Sequence, residues 1–258
     1  MPYDQSFTIE ENTKVNAKYY RLTFRAAHLS EAVEPGQFLT LQINPSLDPF
    51  WRRPFSYYRI QKDRIQILYE VLGRGTAMLS RKKKGDTVQV MGPLGRPFSP
   101  KVKNKKRVLV AGGVGVPPLI FLAEKYAADY LLIGTKSSAE VLPKKELAKI
   151  KAEILYSTND GSYGSKGFVT KLLEQVIKKE LPENIFIQTC GPNIMMEAVM
   201  KMALQWGIEG ELSVDKPMAC GVGACLGCMV KTSDGWKASC VEGPVFNFKD
   251  IDLATTLS

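Results

Sequence analysis

Four cysteines near the carboxyl terminus have the spacing of ligands for an iron–sulfur cluster. They follow the pattern C-x4-C-x2-C, with a fourth cysteine after eleven more residues. This is the plant-type arrangement for a [2Fe–2S] cluster. Glycines between the first three cysteines let the backbone wrap closely and direct N–H groups at the sulfurs, which stabilises a negative cluster. The predicted ligands are Cys220, Cys225, Cys228 and Cys240.

Structural zinc is the main alternative, because zinc also accepts four thiolates. Zinc sites usually show two short cysteine pairs, whereas only Cys225 and Cys228 form such a pair here. Unligated core cysteines are the third interpretation. Cys190 lies apart from this group, and we interpret it as a small buried or pocket-lining thiol rather than a ligand.

Two short motifs in the first hundred residues indicate a flavin with a diphosphate, such as FAD. In Arg53-Pro54-Phe55-Ser56, the arginine can pair with a phosphate, the proline fixes the turn and the serine hydroxyl can donate to a ring nitrogen. Gly75-Thr76 begins a helix candidate, and N–H groups at a helix start bind phosphate. Each motif also has a ligand-free interpretation: an ordinary surface loop for the first, and a turn with Thr76 as a helix N-cap for the second.

A glycine-rich turn follows a short apolar strand candidate and precedes a helix candidate. Gly112, Gly113 and Gly115 lie in this turn, a context that suits the pyrophosphate of a pyridine nucleotide. The turn lacks the G-x-G-x-x-G fingerprint, because prolines occupy its later positions, and a ligand-free turn is the alternative. Cys190-Gly191-Pro192 ends a later strand of the same predicted sheet, where it either lines the nicotinamide pocket or merely turns the chain.

Asp160 indicates NADH rather than NADPH as the nicotinamide cofactor. It follows the predicted third strand of the sheet, where a carboxylate can accept hydrogen bonds from ribose hydroxyls and repel a 2′-phosphate. Lys136 and Lys166 are the counter-argument, because either could meet a phosphate instead. A solvated loop aspartate is the remaining alternative.

The elements around these motifs divide the chain into three units. Short strand candidates at 19–24, 37–43, 65–71 and 87–90 alternate with turns, which predicts a small antiparallel barrel or sandwich. From residue 108 onwards, strand candidates alternate with helix candidates, which is typical of a parallel α/β domain. The predicted units are 1–100, 101–210 and a small cysteine-rich unit at 211–258.

Composition and charge set broad limits on function. The chain has 258 residues and a net charge of +9, of which residues 1–210 carry +11 and residues 211–258 carry −2. The longest charge-free apolar run, Val108–Ala123, is too short to span a bilayer, and the first residues lack the pattern of a secretory signal, so we expect a cytoplasmic protein without a membrane span. The basic clusters at 81–84 and 101–107 are interpreted as solvated loops. A zinc-stabilised nucleic-acid binding module is the rival from another class.

Taken together, the motifs resemble the ferredoxin-reductase superfamily and, within it, the electron-transfer subunits of NAD-linked dihydroorotate dehydrogenases. The most specific parts are residues 218–228 and 243–246. Members usually have a glutamate where this chain has Asp215, and no firm role is assigned to that residue. The resemblance implies that FAD is bound by an R-P-x-S motif, by the strand before the phosphate loop and by a G-T pair. Those residues here are Arg53, Pro54, Ser56, Leu68, Tyr69, Glu70, Gly75 and Thr76.

The resemblance also implies a function in pyrimidine biosynthesis. Electrons would pass from an FMN-containing catalytic subunit through the [2Fe–2S] cluster and FAD to NAD+, with the flavin joining one-electron and two-electron steps. It implies a heterotetramer with two copies of each subunit. No catalytic base for dihydroorotate oxidation is recognisable here, because in the family that chemistry belongs to the partner. The alternative is the flavin–iron–sulfur subunit of a hydrogenase or of a sulfide-handling NAD(P)H reductase.

Overall fold

Six strands in the amino-terminal part of the chain close into an antiparallel barrel, as the sequence predicts. The computed structural model describes residues 3–44, 46, 48–102 and 104–252. Around the barrel the strands follow the order β1-β2-β5-β4-β3-β6. They are β1 (Tyr3–Lys14), β2 (Tyr19–Arg25), β3 (Phe38–Gln42), β4 (Arg53–Gln61), β5 (Arg64–Glu70) and β6 (Thr87–Leu94), with the short helices α1 (Ala27–Ala32) and α2 (Arg74–Leu79).

Alternating apolar residues fill the barrel. Leu39 and Leu41 on β3 and Ile65 and Ile67 on β5 are completely buried, because successive residues of a strand point to opposite faces. β1 has no such apolar run, and its first residues are mostly exposed. β1 is held by antiparallel pairing with both β2 and β6. Its own polar sequence carries no sign of this pairing, so the sequence did not predict the strand.

The second unit is an α/β layer around a seven-stranded sheet, in the order β10-β9-β8-β7-β11-β12-β15. All neighbours in it are parallel except β12 and β15. Its elements are β7 (Lys106–Gly112), α3 (Val116–Tyr126), β8 (Tyr130–Thr135), β9 (Glu153–Thr158), β10 (Ser165–Lys166), α4 (Val169–Glu180), β11 (Ile185–Cys190), α5 (Asn193–Gln205) and β12 (Glu209–Ser213).

The cysteine-rich tail returns to this sheet. A two-stranded hairpin, β13 (Met229–Thr232) and β14 (Gly235–Ala238), is followed by β15 (Val245–Asn247), which pairs with β12. β12 itself crosses position 210, where the sequence predicts the start of a separate unit. The division into three units stays a prediction, and the sheet extends across the second of its two boundaries. No helix within the described ranges is long and apolar enough to cross a membrane.

The barrel and the sheet are held together by a buried ionic cluster. Glu146 accepts hydrogen bonds from Tyr58 at 2.9 Å and from Arg21 at 2.7 Å, while Arg59 pairs with both Glu146 and Glu124. Burial alone would raise the pKa of the Glu146 carboxyl, but Tyr58 and the two arginines outweigh it and lower the pKa below its usual value. These contacts join the barrel to α3 and to the segment that follows β8.

Candidate functional site

A cleft of about 310 Å³ lies between the barrel, one edge of the sheet and the segment that leads to the cysteine loop. Its barrel wall contains every predicted flavin residue except Gly75. β4 and β5 are antiparallel neighbours, so the start of β4 lies beside the end of β5 at the same end of the barrel. The barrel residues of the cleft are Phe38, Arg53, Pro54, Phe55, Ser56, Leu68, Tyr69, Glu70, Leu72 and Thr76.

Arg53 is the only strong cation in this cleft, within the part of the chain that the structure describes. Its guanidinium donates to the backbone oxygen of Trp51, and Gly75 packs against its side chain, where an added Cβ would lie 3.0 Å from Nε. Gly75 therefore contributes by leaving space for Arg53. An arginine with remaining N–H donors at the edge of a cleft can bind a phosphate group bidentately.

Thr76 is not the N-cap residue of α2, although the sequence allowed that; the N-cap is Gly73, and Thr76 closes the first turn from its third position. The helix begins at Arg74, and the Thr76 hydroxyl in its first turn accepts hydrogen bonds from the backbone N–H groups of Leu72 and Gly73, at 3.0 and 3.1 Å. It also donates to the Gly73 carbonyl at 3.1 Å. Thr76 thus fixes the loop between β5 and α2 at the mouth of the cleft.

The glycine-rich turn and the Cys190 turn meet on the opposite wall. β7 and β11 are parallel neighbours with Ala111 opposite Cys190, so the turns that follow them lie side by side at the carboxyl edge of the sheet. Ligands of open α/β sheets bind at this edge. Gly113 has a φ of +50°, a conformation that favours glycine, and Pro192 immediately precedes α5. Val114, Pro117, Cys190 and Gly191 line the cleft directly.

Two titratable groups on this wall have shifted pKa values. Burial, together with the charge of Asp215, raises the pKa of the Cys190 thiol to about 12, so the thiol is neutral near pH 7. Asp215 opens to the cleft but is surrounded by protein on its other sides, and this desolvation raises the pKa of its carboxyl. A neutral thiol and a carboxylate of reduced acidity therefore face the cleft.

Asp160 lies at the same edge of the sheet but outside the cleft. It follows β9, two strands from β7, and its Oδ1 accepts hydrogen bonds from the backbone N–H and the hydroxyl of Ser162, at 2.9 and 2.6 Å. These bonds lower the pKa of its carboxyl. The Asp160 N–H donates to the Lys136 carbonyl at 3.3 Å, so the two residues are neighbours. The negative charge of Asp160 favours NADH, whereas the positive charge of Lys136 favours NADPH.

The cysteine loop packs against the barrel next to the cleft. Gly221 and Gly223 have φ values of +73° and +81°, which explains the glycines between the cysteines. The backbone N–H of Gly223 donates to the Cys240 sulfur at 3.1 Å, and that of Val222 points at the Cys220 sulfur at 3.5 Å. Such bonds stabilise sulfur ligands as thiolates.

The four thiols suit a [2Fe–2S] cluster, which places its four thiolate ligands on two irons. Burial alone would raise the pKa of the Cys220 thiol, but backbone N–H groups outweigh it and lower the pKa.

Phe38 connects the cleft to the cysteine-rich core. It lines the cleft and belongs to the same buried core as Cys228 and Cys240, and Met218 likewise lines the cleft and packs on that core. The sequence did not identify Phe38, Met218 or Ser213–Asp215 as lining residues. The position of Ser213 at the end of a strand of the same sheet was the available signal.

Two family models match parts of this chain. Residues 215–252 match the iron–sulfur cluster binding domain of dihydroorotate dehydrogenase B. Residues 109–201 match an oxidoreductase NAD-binding domain. The matches cover the cysteine loop and the sheet with its two glycine-containing turns.

Relatives of known name match over nearly their whole length. The chain is 38% identical over 248 residues to the electron transfer subunit of dihydroorotate dehydrogenase B (NAD(+)) from Clostridium acetobutylicum, covering 94% of this chain and 96% of the relative. It is 35% identical over 237 residues to the protein of that name from Desulforamulus reducens, covering 88% and 90%.

A solved structure has the same fold over nearly the whole chain. The chain superposes with a TM-score of 0.85 and 26% identity on a chain of an NADH-dependent reduced ferredoxin-NADP oxidoreductase, covering 97% of this chain and 91% of that one. The cofactors of this protein are a [2Fe–2S] cluster, FAD and NAD. At this identity and coverage of the named relatives, the chain belongs to the electron-transfer subunits of dihydroorotate dehydrogenase B.

Proposed function

We propose that this chain transfers electrons between an FMN-containing, dihydroorotate-oxidising catalytic subunit and NAD+ in pyrimidine biosynthesis. One observation carries the proposal: a single cleft has walls from the barrel, from the nucleotide turns and from the segment before the cysteine loop. A flavin bound there supplies the chemistry that joins hydride transfer to one-electron transfer. The residues of this chain would hold the cluster, the flavin and the nicotinamide in line and exclude water between them.

On the barrel side, Arg53 would bind the FAD diphosphate and Ser56 would hydrogen-bond the flavin ring. Leu68, Tyr69 and Glu70, at the end of β5, would form the wall along the flavin nucleotide. The ring of Tyr69 is fixed for this by an edge contact with Phe55 at 5.9 Å and by a hydrogen bond from its hydroxyl to Asn12 at 2.9 Å.

On the sheet side, the turn at Gly112, Gly113 and Gly115 would hold the NAD pyrophosphate. The Cys190-Gly191-Pro192 turn would border the nicotinamide, with a neutral thiol that neither attracts a proton nor carries charge toward the ring. Asp160 would meet the adenosine ribose at the far end of the same edge, and its carboxylate favours NADH over NADPH. No acid–base residue is required, because NAD+ accepts a hydride directly.

The partner would dock where the cysteine loop reaches the surface. Three apolar side chains are exposed there: Val222 at 46%, Leu226 at 63% and Val241 at 48%. Val241 lies beside Gly223 of the loop, where a Cβ would come within 2.9 Å of it. A partner on this face would place its own cofactor next to the cluster and bury these side chains. We place the complex in the cytoplasm, because unpaired thiols suit a reducing compartment.

Co-purification tests the assembly. The tagged chain, expressed with the other proteins of its native cell, should retain a flavoprotein whose released flavin is FMN. The mass of the intact complex should fit two copies of each subunit. A partner with a different cofactor, such as a nickel-containing hydrogenase subunit, would contradict the proposal, as would a complex without any flavoprotein partner.

A further inference from the structure

The turn between β1 and β2 of the barrel lies against the segments that follow β7 and β8 of the sheet. This turn, residues 15–18, is followed by Tyr19, which is only 1% exposed. The Tyr19 hydroxyl donates a hydrogen bond to the Gly113 carbonyl at 2.7 Å. The Gly113 oxygen belongs to the turn assigned above to the NAD pyrophosphate, so a barrel residue holds the dinucleotide loop of the sheet.

The same residue is in register with the flavin wall. Tyr19 is the antiparallel partner of Glu70 at the end of β5, and Glu70 lines the flavin cleft. The main chain of Tyr19 is therefore fixed to the flavin strand, while its hydroxyl is fixed to the dinucleotide turn. A rigid aromatic side chain of constant length connects the two sites.

Neighbouring groups reinforce this connection. The Lys18 ammonium lies 3.5 Å from Glu70 on the flavin wall and 3.1 Å from Glu140, which belongs to the segment after β8. All three side chains are largely buried, with exposures of 12%, 25% and 19%. Asn16 donates to the carbonyls of Glu140 and Val141, at 3.1 and 3.2 Å. The turn thus contacts the segments after both β7 and β8.

Asn16 also fixes the turn itself. Its side-chain oxygen accepts hydrogen bonds from the backbone N–H groups of Lys18 and Tyr19, at 2.9 and 2.8 Å. Burial, together with the charges of Glu70 and Glu140, raises the pKa of Tyr19 well above its ordinary value, so its hydroxyl remains a donor throughout the physiological range.

We propose that Tyr19 is a positioning residue for hydride transfer, which sets the distance between the dinucleotide loop and the flavin wall through its hydrogen bond to Gly113. The proposal rests on the placement of the NAD pyrophosphate at residues 112–115. Lys18 and Asn16 fix the position of the turn relative to the edge of the sheet. Tyr19 touches no reacting atom and acts only through the Gly113 turn.

Tyr19→Phe in the complete holo-protein is the central variant, because it keeps the ring and removes only the donor. Losing a hydrogen bond to a buried carbonyl should weaken NAD+ binding by about two- to tenfold in calorimetric titration. At saturating NADH, flavin reduction in stopped flow should stay slower by a similar factor. FAD content, iron content and reduction by dithionite should match the unmodified protein. Lys18→Met should act in the same direction.

Tyr58→Phe is the matched control. Tyr58 is also a buried barrel tyrosine whose hydroxyl donates across the same interface, but to Glu146 rather than to a nucleotide turn. It should leave NAD+ binding and flavin reduction unchanged and alter only thermal stability. Equal losses in both variants would overturn the proposal, because they would show a general loosening of the interface. Normal binding in Tyr19→Phe, or a rate fully restored by saturating NADH, would also overturn it.

Gly113→Ala separates this inference from the dinucleotide placement. A Cβ there has no atom nearer than 3.9 Å, so it causes no clash, but the methyl group would lie near Lys18 and Pro192. The φ of +50° also strains alanine at this position, so the substitution should displace the dinucleotide turn itself. Unchanged NAD+ binding in Gly113→Ala would refute the placement itself. Weakened binding in Gly113→Ala with normal behaviour of Tyr19→Phe would refute only the role of Tyr19.

Discussion

Gly115 lies so close to the Cys190 carbonyl group that a Cβ at position 115 would come within 2.1 Å of its carbon and oxygen. The two residues lie where β7 and β11 end, and their contact joins the two turns assigned to NAD. Only a residue without a side chain allows this approach. The φ of Gly115 is an ordinary −81°, which any residue can adopt. The glycine is therefore required by packing rather than by backbone conformation.

Gly115→Ala should displace one of the two turns. We expect a stability loss of about 1–3 kcal/mol, as for other overpacked sites, together with weaker NADH binding. Thermal unfolding and NADH titration measure the two effects. Gly73→Ala is the control for stability, because a Cβ at position 73 meets nothing within 4 Å. An unchanged melting temperature in Gly115→Ala would show that the two turns are not in contact.

Replacing any cluster ligand by serine should abolish the [2Fe–2S] cluster, whereas Cys190→Ser should retain it. The reason is that Cys190 ends β11 and lines the cleft, and does not belong to the core that holds Cys228 and Cys240. Iron and inorganic sulfide content, with electron paramagnetic resonance of the reduced protein, gives the answer. Zinc without sulfide in freshly isolated protein would contradict the assignment. The four ligand variants are those at Cys220, Cys225, Cys228 and Cys240.

Arg53→Ala should weaken FAD binding. A charge-assisted hydrogen bond to a phosphate contributes about 1.5–3 kcal/mol, which is roughly tenfold or more in affinity. Equilibrium dialysis of the flavin measures the change. Arg52→Ala is the matched control, because the neighbouring Arg52 pairs with Asp4 at 3.0 Å and does not line the cleft. Equal losses in both variants would remove Arg53 from the site.

Asp160→Ala should reduce the preference for NADH over NADPH. The carboxylate that repels a 2′-phosphate is lost, while Lys136 remains beside the site. Diaphorase assays with an artificial acceptor compare kcat/KM for the two cofactors. If the unmodified protein uses NADPH as efficiently as NADH, the argument from Asp160 fails. If the preference survives in Asp160→Ala, its cause lies in another residue.

The sequence predicted the elements that have their own pattern. The alternating residues of β3 and β5 and the apolar run of β7 were recognisable, and so were the cysteine loop and both glycine-containing turns. β1 was missed because its stability comes from two neighbouring strands rather than from its composition. A prediction from local pattern cannot detect pairing of this kind.

The missed site residues are those brought to the cleft by tertiary structure. Phe38 belongs to no motif. Only the structure shows that it lines the cleft and packs in the same core as Cys228 and Cys240. Tyr19 was recognised as a strand residue, but its hydrogen bond to Gly113 joins residues that are 94 positions apart. Asp215 stood out in the sequence because family members usually have a glutamate there, but no other residue of the sequence defined its role.

Dihydroorotate-dependent reduction of NAD+ by the purified complex is the decisive test of the proposed electron path. We expect NADH formation by the complete complex and none by the catalytic subunit alone. We also expect none by a complex carrying Cys225→Ser, provided that this variant keeps its FAD and still oxidises NADH with an artificial acceptor. NADH formation that continues at the normal rate without the cluster would contradict the proposed electron path.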